Sequence, residues 1–582
     1  MVRHIRWQVF LITLGVLVLG GLMAYLAGAF SVQREPAPGG TYVEGLIGTP
    51  QFINPLLCQY NDVDRDLCAL IFTGLVRYDE NGQPQPDLAE RWDISPDGLV
   101  YTFHLRPNAR WHDDQPVTAA DVVFTLGLLQ DPLYPGSPDL AALWRTVQVV
   151  EVNSLTVQMT LQEPLTPFLQ YCTIGLLPKH ALPDVTAADL ADIPFNRKPI
   201  GSGPFRVETV GSSEAGQPQH VLLSAYNGYY GRQPFIGKID FKLYPDFPTM
   251  VSAYRAGEIQ GLSQIPGTQL TAVRDLVALN LYTARQSGYT MIFMNQGDDT
   301  LPFFQDQQVR RALMLSLDRR RLIEEVLRGQ GVIADSPIIP GTWAYAADLP
   351  QIVPNPAEAR QLLTEAGWRF PSAERPATDD SGAVVGATPT PSAAVREPPV
   401  RVKNGVPISF TLYTTGDAAH VALANAIARQ WLEIGVRASV VPVQAGLVSN
   451  YLAPRTYQAA LVDVQLPADP DPYPFWHETQ ATAPGQNYSQ YKDRDVSEVL
   501  EQARRTADFN TRRDLYHRFQ EMFIERVPGI LLYYPLYTYG VSEKVADVQI
   551  GPIAYPADRF RTLPDWYVIT RRVIVSNAPI IR

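Results

Sequence analysis

The segment Leu461–Trp476 (L-V-D-V-Q-L-P-A-D-P-D-P-Y-P-F-W) sets the carboxylates Asp463, Asp469 and Asp471 beside the aromatic residues Tyr473, Phe475 and Trp476. A carboxylate can pair with a cationic ligand group through charge-assisted hydrogen bonds. Flat aromatic faces add apolar area that tolerates varied side chains. Asp before Pro also stabilises turns, and that structural role stays open for Asp469 and Asp471. Bond-making chemistry needs more than this. The chain has no G-x-S-x-G and no H-E-x-x-H, and His477-Glu478 has no second His at zinc spacing. With 8 scattered His and 3 Cys, a Cys-rich metal site is excluded. The turn Ile200–Phe205 (I-G-S-G-P-F) lacks the Lys and following helix of a phosphate loop. Gly231 to Lys238 has one spacer too many and no Ser or Thr after the Lys. The chemistry expected is recognition, with no catalytic residue, metal or cofactor. A hydrolase assembled from distant residues is the remote alternative.

A chain of 582 residues is too long for one hydrophobic core, so two or more lobes are expected. Its composition, 46% hydrophobic and 18% charged, is that of a globular protein. A net charge of −11 without any Lys/Arg run argues against nucleic acid as a partner.

Local signals place the elements. Ser95-Pro96-Asp97-Gly98 is a turn, after which Tyr101, Phe103 and Leu105 alternate with polar residues as in a half-buried strand. Thr118 and Asp121 read as a capping box. Val147–Val152 and Leu155–Leu161 form a hairpin around Asn153-Ser154. Tyr42–Ile47, Ile239–Leu243, Ile408–Thr414 and Gly435–Val443 are expected strands. Helices are expected over Asp64–Val76, Gln308–Gly329, 355–367, Ala418–Ile434 and Thr511–Arg526, with a further one started by a capping box at Asp495–Glu498. The run Asp318-Arg319-Arg320-Arg321 reads as a solvated helix face.

Between Leu88 and Val123 the pattern S-x-D-G-x-x-Y-x-F-x-L-R-x-x-A-x-W-x-D-x-x-P-V-T-A-x-D-V is similar to the signature of the family 5 extracellular solute-binding proteins. These are the dipeptide-, oligopeptide- and nickel-binding receptors of ABC importers. Ile200–Phe205, Tyr229–Arg232, Phe293–Gly297 and Gly529–Pro535 continue the resemblance, which spans roughly 42–370 and 406–550. It implies a two-lobed α/β architecture of the periplasmic-binding-protein type (class II, large peptide-binding form), with mixed sheets and a two-strand hinge. Lobe I would hold 41–292 plus 533–582, with an inserted subdomain at about 80–200, and lobe II would hold 293–532. The signature stretch itself reads as structural.

The same resemblance implies a ligand in the cleft between lobes, lined by Leu461–Trp476, which resembles the family's W-x-x-D-Y-x-[DE]-P-x-x-F segment. In peptide-binding members the first Asp of that motif pairs with the ligand's α-ammonium. Anchored on Asp471-Pro472 and Phe475, that position falls on Ala468 here. Either Asp469 takes the role through a one-residue shift, or no peptide amine is held this way. Candidate contacts are Asp463, Gln465, Leu466, Pro467, Asp469, Asp471, Phe475, Trp476, Asn487 and Tyr488, with Phe52 and Asn54 after the first strand, Tyr134 and Asn295. The expected function is an extracytoplasmic receptor, a monomer, that delivers a peptide or peptide-like solute to an ABC permease. A non-peptide ligand (metal chelate or oligosaccharide) or a membrane-tethered sensor without transport are the alternatives. Adjacent permease and ATPase genes would mark transport, and a kinase gene sensing.

Arg3, His4 and Arg6 precede an uncharged apolar run from Trp7 to Phe30, 24 residues, roughly enough to cross a bilayer. The charge order places the body outside the cytoplasm. The run is expected to be an uncleaved transmembrane helix, with cleavage after Ala27-Gly28-Ala29 as the alternative. Ser31–Gly40 reads as a tether, and 371–405 as a disordered surface insertion. Cys58 and Cys68 are either a local disulfide or two buried thiols, and Cys172 belongs to the core.

Overall fold

Runs of β-branched and aromatic residues bounded by Gly and Pro build the framework. In the computed structural model, which describes residues 2–212, 218–371, 398–506 and 508–576, they form a mixed 12-stranded sheet. Ten strands run in the order Arg437–Val443, Ser409–Thr415, Ala459–Gln465, Gly288–Met294, Ile530–Ser542, Gly261–Leu262, Thr41–Ile47, Lys238–Tyr244, Pro218–Ala225 and Phe205–Ser212, and two more, Leu279–Arg285 and Gly331–Ile333, pair with Ile530–Ser542 off this path. The 13-residue strand Ile530–Ser542 belongs to both ends. Its first half pairs antiparallel with Gly288–Met294 and its second with Leu279–Arg285. Ala284, Tyr537 and Tyr539 pack in one apolar core, whereas Tyr289, Met291, Leu531 and Tyr534 pack in another. The chain therefore changes core between Ala284 and Tyr289, upstream of the expected Phe293–Gly297, and again between Tyr534 and Tyr537.

The signature stretch does what its pattern predicts. A four-stranded antiparallel sheet contains Ala89–Ile94, Val100–Leu105, Thr156–Thr160 and Gln148–Asn153, and buries Tyr101, Phe103 and Leu105. Thr118 and Asp121 cap the helix Ala119–Gln130 reciprocally. Asp121 also accepts hydrogen bonds from the Lys179 amide and the Trp111 indole, which makes it a buried knot. In the I-G-S-G-P-F turn, a Cβ on Gly201 would lie 1.9 Å from the Ile71 carbonyl oxygen. Those glycines exist for close backbone approach.

Near the C-terminal end, Arg559 is fully buried between two carboxylates from distant parts of the chain. Its Nη1 and Nη2 donate to Asp66 at 2.8 and 2.5 Å, and its Nε donates to Glu44 at 2.9 Å. The hydroxyls of Tyr42 and Tyr539 donate to Glu44 at 2.8 and 2.7 Å. This cluster ties the strand Thr41–Ile47 and the helix Asp62–Ile71 to the turn Pro556–Asp565.

Several expectations are corrected. The presumed tether contains a strand, Phe30–Ala37, paired antiparallel with Ile569–Ser576, because the C-terminal I-T-R-R-V-I-V-S run supplies a partner invisible locally. The helix expected over Asp64–Val76 ends at Ile71, and Val76–Tyr78 is a short strand. The single helix expected over Gln308–Gly329 is two, Gln307–Leu315 and Arg319–Glu325, broken where Asp318 caps the second. Arg319 is buried rather than solvated, donating to the carbonyls of Ala334 and Ile352 and to Asp335. The later helix is Arg494–Arg505, capped by Asp493, so Asp495 lies inside it. Of the insertion 371–405, residues 372–397 lie outside the described set, whereas 401–405 are ordered. There Asn404-Gly405 turns a small hairpin at positive φ, and buried Arg401 donates to the carbonyls of Ile434 and Trp368. Cys58, Cys68 and Cys172 are free thiols. A helix spans Val2–Ala29; among the described residues, no helix is long and apolar enough to cross a membrane.

Candidate functional site

Between the two halves lies a cleft of about 900 Å³. One wall comes from segments around Phe72–Asp87, Arg106, Gln170–Thr173, Tyr229–Arg232 and 552–564, and the other from 339–342 and 465–475. The strand Ala459–Gln465 delivers the second wall to the opening. Prolines 467, 470, 472 and 474 then prevent the chain from continuing in a sheet. The halves touch at the rim. The Thr166 hydroxyl lies 2.8 and 3.0 Å from the carbonyl oxygens of Arg504 and Thr506, and Gln465 Nε2 donates to the Ala554 carbonyl.

Of the candidate contacts, Gln465, Leu466, Pro467, Asp471 and Phe475 line this cleft. The other nine do not. Asp469 is buried and gives both oxygens to Arg512, at 2.9 and 2.6 Å, while Arg512 also donates to the Tyr516 hydroxyl. Burial pushes the Asp469 carboxyl up, against the pull of Arg512. Asp471, although on the wall, is paired with Arg504 at 2.9 Å. Trp476 lies behind the wall, packed on Phe293 and Phe523. Asn487 is buried and donates to the carbonyls of His477 and Tyr491. Tyr488 packs on Phe293 and under Arg455, and Asn295 donates to the Tyr457 carbonyl. Asn54 bonds Asn196 in the first lobe, the Phe52 amide donates to Asp64, and the Tyr134 hydroxyl donates to the Leu56 carbonyl. Asp469, Asn487, Asn295 and Asn54 are thus buried polar groups satisfied within their own lobe.

Asp463 is exposed outside the cleft, where it accepts from the Thr290 hydroxyl and faces His420 at 3.2 Å. Burial lowers the His420 pKa, but Asp463 and Asp417 outweigh it and raise it to about 9. A histidine pKa raised on folding adds stability that is complete below its ordinary 6.5 and is lost as pH climbs through about 9. His420→Asn should therefore be less stable than the parent at pH 6 and no different at pH 10. Urea unfolding at both pH values checks this, and an equal gap at both would remove the ion pair from the account.

The first-lobe wall was barely visible in sequence. Tyr78, Asp87, Arg106, Tyr171, Tyr229 and Tyr230 line it. Tyr229-Tyr230-Gly231-Arg232 and Arg106, the Arg of the Leu88–Val123 pattern, carried a signal, as family matches without an assigned role. The Tyr230 hydroxyl donates to Asp87 at 2.5 Å, and Arg106 Nε donates to the Asp87 carbonyl at 2.6 Å while lying over the Tyr230 ring. Burial raises the Asp87 carboxyl to about 6, opposed by Tyr230, Arg77 and Arg106.

Comparison with known proteins gives this geometry a context. The oligopeptide-binding protein AppA of Bacillus subtilis is 28% identical over 527 residues, covering 89% of this chain and 90% of the relative. The structure of that protein in complex with a nonapeptide superposes with a TM-score of 0.68 at 26% identity, covering 92% of this chain and 100% of the other. NikZ from Campylobacter jejuni in complex with Ni(L-His) shares the fold, with a TM-score of 0.68 at 24% identity over 90% of this chain and 99% of that one. The family model for bacterial extracellular solute-binding proteins, family 5, matches residues 83–487, and with the two-lobed fold and its cleft this establishes that the chain belongs to the family 5 extracellular solute-binding proteins.

Proposed function

We propose that this protein is the extracytoplasmic receptor of an ABC importer, taking a peptide or peptide-like solute into the interlobe cleft and handing it to the permease. The observation that carries this is the cleft, walled on one side by the Gln465–Phe475 segment. Its volume suits a ligand of several residues. The relatives named above, one described with a nonapeptide, support a peptide over other ligands.

Recognition follows from the lining. Phe475 and the tyrosines offer apolar faces that accept many side chains, and backbone groups at the proline-interrupted edge meet peptide amides as an added strand would. Closure is a hinge motion about the two shared strands. A ligand that touches both walls stabilises the closed form over the open one, by its differential affinity for the two. The division proposed is lobe I as 41–292 with 533–582 and lobe II as 293–532, while the cores support crossovers a few residues away, between Ala284 and Tyr289 and between Tyr534 and Tyr537. The partners are the permease in the membrane and the solute, with the receptor acting as a monomer. An uncleaved N-terminal anchor rests on the sequence alone, on the uncharged apolar run Trp7–Phe30 behind Arg3, His4 and Arg6.

The test is native mass spectrometry of small molecules that co-purify with the protein, followed by heat-shift screens with di- to octapeptides. Peptides should raise the melting temperature. Stabilisation by a metal chelate or sugar, with none by peptides, would reject the peptide assignment. Phe475→Ala should weaken binding of the best peptide about 10-fold or more while leaving the unliganded melting temperature nearly unchanged.

A further inference from the structure

The charges that face the cleft are distributed unevenly. On the second-lobe wall the one charged side chain in contact with the cleft is Asp471, and Arg504 neutralises it. Asp469 is consumed by Arg512, and position 468 is alanine. That wall has no carboxylate to spare for a ligand's ammonium group.

The first-lobe wall differs: it carries four arginines, Arg77, Arg106, Arg232 and Arg561, against the carboxylates Asp79, Glu80, Asp87 and Asp558, of which Glu80 lies beside Gly551 near Arg561. Arg561 faces Asp558 at 3.2 Å, and Arg232 pairs with Asp565. Asp79 is spent on its own turn, accepting from the amides of Asn81 and Gln83 and from the Gln85 side chain. Arg77 and Arg106 are different: among the described residues, neither has a carboxylate within ion-pairing distance. Arg77 is exposed, and its Nε reaches only the Pro86 carbonyl at 3.4 Å. Arg106 spends its Nε on the Asp87 carbonyl and lies over the Tyr230 ring, and among the described residues its terminal nitrogens have no hydrogen-bond partner. They stand on either side of Asp87: Arg77 pairs with Gln85 in the ladder two residues before it, and the Arg106 amide donates to Leu88 just after it. The Asp87 carboxylate, in turn, is engaged by the Tyr230 hydroxyl.

We propose that Arg77 and Arg106 form a carboxylate-binding subsite on the first-lobe wall, so that the ligand is held by an anionic group there instead of by its ammonium group at the second lobe. Guanidinium groups with free Nη–H pairs match a carboxylate bidentately. The carboxylate comes from the peptide's C-terminus or from an acidic side chain. This assignment rests on the peptide-receptor function proposed above and names the ligand charge it reads.

Isothermal titration of the full chain with four probes tests it: tetra-alanine as the free acid, its C-terminal amide, its N-acetylated acid, and an amidated tetrapeptide carrying one glutamate. The free acid should bind at least 10-fold tighter than the amide, with N-acetylation changing affinity less than 3-fold. Tight binding of the glutamate peptide amide identifies a side chain as a sufficient source, and weak binding restricts the source to the terminus; both support the subsite. Arg77→Gln, at an exposed position where folding is not at risk, and Arg106→Met should each reduce the discrimination between acid and amide. Equal binding of acid and amide, or undiminished discrimination in both variants, overturns the subsite while leaving the peptide receptor standing. Binding of none of the four peptides overturns the peptide receptor and the subsite together.

Discussion

Arg559→Met should lower the stability of the protein by about 3–5 kcal/mol, the loss typical of removing one partner from a buried ion pair. Arg559, Glu44 and Asp66 are almost completely excluded from solvent. Among the described residues, the arginine is the one cation that its bonded carboxylates share. Without it, two carboxylates remain in a medium of low polarity, and methionine can replace the packing on Phe560 and Tyr539 but not the charge. The Asp66 carboxyl, which burial already raises to about 6 against the pull of Arg559, then rises further in the variant. A raised carboxyl pKa means the native state holds its proton more tightly, so the deficit should shrink as pH falls from 7 toward 4. Urea unfolding at pH 7 and pH 5 measures this. A deficit under about 1 kcal/mol, or one of equal size at both pH values, would show that the cluster is not acting as a buried charge network.

Arg512→Leu should cost a similar amount, about 3–5 kcal/mol, because Asp469 would be left buried without its bidentate partner. The informative measurement is the double-mutant cycle. Asp469→Leu combined with Arg512→Leu removes both charges, and should be less damaging than the two single losses added together, by about 1–3 kcal/mol. Simple additivity would mean that the pair does not function as a pair. The same variants separate the two roles open to Asp469. A carboxylate that holds the ligand's amine would, as Asp469→Asn, lose binding with the fold intact. A carboxylate committed to Arg512 and Tyr516 would lose stability first, and peptide affinity would follow only through the shape of the wall.

Much of the framework was legible because its signals are local. The alternation of Tyr101, Phe103 and Leu105, the Thr118–Asp121 cap, and the Asn355–Pro356 helix start are all decided within a few residues, and the structure repeats them. The failures share a cause in partners distant in the chain. Nothing near Ser31 announces that Ile569–Ser576 will pair with that segment. Arg319 looked like one member of a solvated basic run because its partners, Ala334, Asp335 and Ile352, come from a later loop. In the cleft, sequence located one wall, since the proline-rich segment after Ala459–Gln465 is distinctive. It could not separate residues on that wall from residues behind it. Asp469, Trp476 and Asn487 have the composition of ligand contacts, yet each is engaged inside its lobe. The opposite wall comes from five separated segments that no spacing connects.

The strand Ile530–Ser542 has a consequence for how the molecule comes apart. Two bodies linked by a flexible connector melt independently, each at its own temperature. Here one backbone ladder serves both halves, so losing either half strips hydrogen bonds and aromatic cover from the edge of the other. Scanning calorimetry of the empty protein should accordingly record one heat-absorption peak whose van't Hoff and calorimetric enthalpies agree. Two resolved peaks would mean that Pro535, midway along the shared strand, acts as a mechanical fuse between separately melting units.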